Sequence, residues 1–62
     1  MREVRTVGSY ECVVEDTRMG GRYLWEVRNF YGELMTAGIE KTQEVAWVIS
    51  TNVALAYKRT MQ

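Results

Sequence analysis

The 62-residue sequence predicts an α+β fold: a single domain over 1–62 in which a three-stranded antiparallel sheet, made of two hairpins, packs on one C-terminal helix in the order β-β-β-α. Apolar and polar residues alternate over Val4 to Val14 and again over Tyr23 to Val27, the period-two pattern of half-buried strands. Segments rich in Gly, Asp and Asn separate the alternating runs. From Thr42 onward the chain has neither Gly nor Pro, and its apolar residues recur at helical spacing.

In the first run Val4, Thr6, Gly8, Tyr10, Cys12 and Val14 share one parity, with Arg5, Ser9, Glu11 and Glu15 between them. This reads as one strand, and Gly8 marks a bulge or bend after which ordered pairing begins near Ser9. Asp16-Thr17-Arg18-Met19-Gly20-Gly21 follows, with residue types that tolerate left-handed backbone, and is predicted as a hairpin loop. The second strand sets Tyr23, Trp25 and Val27 on one face and Arg22, Glu26 and Arg28 on the other, with Leu24 as the exception.

Asn29-Phe30-Tyr31-Gly32 has Asn at the first turn position and Gly at the fourth, the order of a type I turn closed by a glycine bulge. Pairing Asn29 with Glu33 predicts that Val27 faces Met35, Trp25 faces Ala37 and Tyr23 faces Ile39, an all-apolar set. Thr42 then stands where a helix N-cap belongs, Glu44 falls in the first turn, and Lys58 and Arg59 complement the far end of a helix from about Gln43 to Arg59 or Thr60. Its predicted core face is Val45, Ala46, Ile49, Val53, Ala56 and Tyr57.

Composition excludes more than it identifies. Eight basic and eight acidic residues cancel, which disfavours a nucleic-acid partner. With a single cysteine and no histidine, an intrachain disulfide is impossible, no zinc-type ligand set can form, and the commonest general acid/base residue is missing. No catalytic residue, cofactor or metal site is therefore expected. Met1 to Gly8 is charged and lacks an apolar run, and no stretch reaches the roughly 18 apolar residues of a membrane span. A cytoplasmic protein without a membrane partner is the expectation. Chains of this size bury only about 60% of their unfolded surface, so self-association is the expected supplement to the core.

The run Tyr23-Leu24-Trp25-Glu26-Val27, then Asn29 to Gly32, then Glu33-Leu34-Met35-Thr36-Ala37-Gly38 and a Thr-initiated helix resembles the layout of small orphan accessory proteins of bacteria, bacteriophages and mobile elements. The resemblance covers roughly Tyr23 to Tyr57; in size and orphan character the chain looks like the accessory proteins of bacteriophages and other mobile elements, many of which bind and inhibit a host protein. The strand order is also similar to that of double-stranded-RNA-binding domains. The basic cluster that would meet phosphates at the helix start is replaced here by Gln43 and Glu44.

The functional signal is apolar surface in excess of what one helix face and one sheet face can cover. Val48 and Leu55 lie one heptad apart on a second side of the helix, with Trp47 and Thr51 beside them, and form the first candidate interface. Trp47 either anchors that interface or caps the end of the sheet. The second candidate is the open sheet face, with Leu24, Leu34, Val13, and Val7 and Phe30 at its margin. Phe30 and Tyr31 at a turn tip either fold back on the sheet edge or anchor a protein contact.

Among polar groups, Glu11, Glu15, Glu26 and Glu33 alternate with Arg5, Arg22 and Arg28 as cross-strand charge pairs. Cys12 reads as a packing cysteine. Gly20-Gly21 with Arg18 and Arg22 lacks the helix and Lys-Ser/Thr of a phosphate loop. These readings predict a non-enzymatic interaction module, partnered by itself as a homodimer or by a larger protein. A small nucleic-acid-binding regulator using Arg18, Arg22, Arg28 and Lys41 on phosphates, with Tyr31 and Phe30 stacking on bases, is the alternative.

Overall fold

The computed structural model describes residues 2–18 and 20–60; Met1, at the charged start, and Met19, in the predicted hairpin loop, lie outside them. Strands β1 (Arg2–Val7), β2 (Tyr10–Asp16), β3 (Tyr23–Arg28) and β4 (Leu34–Glu40) precede helix α1 (Gln43–Thr60). The α+β class and the C-terminal helix are as predicted, but the sheet has four strands in the order β1-β2-β3-β4, all antiparallel.

The extra strand comes from Gly8-Ser9, which form a two-residue turn in place of the predicted bend. Gly8 takes φ +62° and Ser9 does not take a positive φ, the type II′ pattern that suits a right-twisted hairpin. Val7 then pairs with Tyr10 and Arg5 with Cys12. The turn thereby reverses the parity of the first run. Tyr10, Cys12 and Val14 face the helix as expected, joined by Val7 instead of Val4 and Thr6.

Between β2 and β3, Arg18 donates its amide to Asp16 Oδ1 at 2.9 Å, and the Thr17 amide and hydroxyl both reach the Arg22 carbonyl. The β3–β4 turn forms as the sequence predicts. The Gly32 amide donates to the Asn29 carbonyl and the Asn29 amide to the Glu33 carbonyl, both at 3.0 Å, with Gly32 at φ +81°. Asn29 Oδ1 accepts the amides of Tyr31 and Glu33, closing the turn through its side chain.

Beyond the turn a bulge between Val27 and Arg28 shifts the register by one residue, so the predicted pairs do not form. Val27 pairs with Thr36, Trp25 with Gly38 and Tyr23 with Glu40. The shift exchanges the two faces of β4, and Met35, Ala37 and Ile39 turn away from the helix. Volume accounts for it. A Cβ on Gly38 would lie 2.8 Å from the Trp25 indole, so the large ring fills the space over the one residue that leaves it empty. The indole N–H then donates to Glu40 Oε2 at 3.1 Å.

Helix α1 lies across the inner face of β2, β3 and β4. Thr42 caps it, its hydroxyl accepting the Val45 amide at 3.1 Å, and Gln43 donates to Glu3 on β1. The buried stripe is Ala46, Ser50 and Ala54, spaced by four, with Trp47 beside it. Val45 and Ala56, predicted on the core face, are exposed. Small residues on this stripe let the helix approach the sheet closely, while the two tryptophans supply the bulk. At the far end Tyr57 stacks on Tyr10 with centroids 5.8 Å apart, and its hydroxyl pairs with Thr36 Oγ1. Among the described residues no helix is long and apolar enough to cross a membrane.

Candidate interaction surface

With α1 on the inner face, the outer face of the sheet is left without a covering layer among the described residues. Read across the strands, its rows are Arg2, Glu15, Leu24, Ile39; then Val4, Val13, Glu26, Ala37; then Thr6, Glu11, Arg28, Leu34, with Met35 displaced by the bulge. Ile39 is 56% exposed and Leu34 52%, and such side chains carry information as a grouped patch. Val4 and Met35 are also exposed, Leu24 is half-buried, and only Val13, flanked on β2 by both neighbouring strands, is buried.

Charges stand among these apolar groups in compensating pairs. Arg2 is opposite Glu15 and Glu11 opposite Arg28, and Arg28 Nε lies 3.3 Å from Glu26 Oε1. Two residues apart on one strand, Glu26 and Arg28 share a face, and Arg28 also donates to the Gly32 carbonyl. These pairs, with Glu15, Glu26 and Arg28 half-buried, leave the face near neutral.

The helix stripe is reduced relative to expectation. Trp47 is 8% exposed and belongs to the core, with the Arg5 guanidinium 4.0 Å from its ring centroid. Of the two roles open to it, capping the sheet is the one its packing matches. Val48 remains 55% exposed, whereas Thr51 and Leu55 are half-buried, so what is left is narrow. Phe30 and Tyr31 do not fold back on the sheet. They are 78% and 82% exposed and meet each other edge to face at 5.7 Å.

These two rings and the Gly8-Ser9 turn border an open groove of about 750 Å³ at one end of the outer face, floored by Thr6 and Glu11. Glu11 is the one charged residue among its lining, so the groove offers shape and aromatic surface without a pair of acid and base groups. Cys12 is fully buried, donates to the Ser50 carbonyl at 3.4 Å, and has its thiol pKa pushed up by burial, the opposite of a nucleophile's environment. Among the described residues no three His, Cys, Asp or Glu side chains cluster to hold a metal ion.

Sequence reasoning placed Leu24, Leu34 and Val13 on the outer face, put Val7 there although it packs against the core beside Tyr10, and missed Val4, Met35, Ala37 and Ile39. A signal for the β4 residues was present in Gly38, the one position opposite Trp25 able to admit an indole. A scan against family models and searches of curated proteins and of solved structures found no match to this chain.

Proposed function

We propose that this chain is a non-enzymatic protein-interaction module that binds through the outer face of its sheet. The observation that carries the reading is the grouping of Val4, Leu34, Met35 and Ile39, each 40–56% exposed, on the face opposite the helix. Covering apolar surface contributes roughly 25 cal/mol per Å², and a stable complex needs about 800 Å² from each partner. The compensating charges at Arg2, Glu15, Glu11 and Arg28 suit the polar rim of such a contact. The partner is a larger protein or a second copy of the chain.

The test compares the wild-type chain with Leu24→Glu/Ile39→Glu on the outer face and Val48→Glu/Leu55→Glu on the helix, following self-association by sedimentation and partner capture from the native host. Loss of association in the outer-face variant alone supports the reading. Loss in the helix variant alone overturns it in favour of the helix stripe. A wild-type chain that neither self-associates nor captures a partner refutes the module itself.

A further inference from the structure

The two edges of the sheet are built differently. β1 carries Arg2, Glu3 and Arg5, and the register turns Glu3 and Arg5 towards the helix side, an inward-pointing charge being a common guard against edge pairing. β4 has no charge and no proline from Leu34 to Ile39, and among the described residues no strand pairs with its outer side. It presents unpaired backbone N–H and C=O groups of alternate residues beside an exposed apolar row.

The sequence of β4 is also self-matching. Run antiparallel to itself about Ala37, it sets Met35 opposite Ile39 of the second copy, Ala37 opposite Ala37 and Thr36 opposite Gly38, each pair on one face of the joined sheet. This register holds over Met35 to Ile39; the bulge at Met35 ends it before Glu33, and Lys41 lies beyond the end of β4. We infer that β4 is a homodimerisation edge, pairing with β4 of a second copy about a two-fold axis at Ala37 to give a continuous eight-stranded sheet with both helices on one side. The inference rests on the interaction-module reading and names one partner for it. The pairing gathers Met35, Ala37 and Ile39 of both copies into one apolar strip at the centre of the outer face, open to a further partner.

Light scattering across protein concentration, with far-UV circular dichroism to verify folding, tests it on the full chain. The wild type is expected at twice 7.2 kDa. Ala37→Lys, which sets two ammonium groups against each other across the axis, is expected to weaken the dimer about tenfold or more, and mixing it with Ala37→Glu to restore association as a mixed dimer. Ala37→Cys is expected to cross-link under mild oxidation far faster than Asn52→Cys on the helix, because facing Cα atoms in an antiparallel pair lie about 4.5–5.5 Å apart, within disulfide range. A folded wild type that stays monomeric at all concentrations overturns the inference, and partner capture blocked by Leu24→Glu/Ile39→Glu in that same protein leaves the module reading standing. A dimer indifferent to Ala37→Lys and not cross-linked through Ala37→Cys also overturns it.

Discussion

Gly38 is glycine because of the ring above it and not because of its backbone, which has no positive φ. Gly38→Ala therefore tests packing alone. With the added methyl 2.8 Å from three atoms of the Trp25 indole, ring or strand must move, and the Nε1–H bond to Glu40 moves with it. A loss of about 1–3 kcal/mol is expected in urea unfolding, accompanied by a change in tryptophan emission in the folded baseline. Cys12 carries a second residue-scale prediction. Burial raises its pKa in the folded chain, so the folded state holds the thiol proton where the unfolded state releases it. The resulting stability is complete below the unfolded value of about 8.5 and is lost as pH rises from there through the folded pKa. Subtracting the pH profile of Cys12→Ala from that of the wild type isolates this loss, and a difference that is flat above about pH 8.5 counts against it.

At the scale of elements, the parts legible in the sequence are those fixed by local chemistry. Thr42 and Glu44 marked the helix start, and Asn29 with Gly32 marked a turn that formed with the expected hydrogen bonds. Register and parity were not legible because each turns on one residue. The two-residue turn at Gly8-Ser9 interrupts an alternation that reads as continuous, and the bulge at Val27/Arg28 inverts β4 against the simple preference for burying Met35, Ala37 and Ile39. The helix was misread for a related reason: its inner stripe is small and includes Ser50, whose hydroxyl is satisfied by the Trp47 carbonyl at 3.2 Å. A reading that follows apolar size centres the inner face on Val45, Ile49 and Val53, and Ala56, which lies between Val45 and Ile49 on the helix, is carried inside with them. Ala54→Leu and Ala56→Leu separate the two helix faces, since Leu and Ala have similar helix propensities. The buried Ala54 should lose about 1–3 kcal/mol on overpacking, while the exposed Ala56 should change by no more than about 0.5 kcal/mol in the same denaturation assay.

For the whole molecule, the extents of 38 × 19 × 15 Å leave room for one sheet and one helix layer across the thinnest direction, and no third layer. A two-layer chain of this length has one core and little reserve, so any contact covering the outer row or the β4 edge changes its stability as well as its assembly. That links the dimer to a thermodynamic observable. Unfolding of a dimer into two chains depends on concentration, whereas unfolding of a monomer does not. With about 0.7 kcal/mol of unfolding enthalpy per residue, two chains amount to roughly 90 kcal/mol, and a tenfold rise in concentration should raise Tm by about 6 °C. Ala37→Lys should flatten that slope, and an equal mixture with Ala37→Glu should restore it, because the opposite charges then meet across the β4–β4 axis. A slope that disappears in Leu24→Glu/Ile39→Glu while Ala37→Cys does not cross-link would mean that the two copies meet through their outer faces as a sandwich, with β4 left as a free edge.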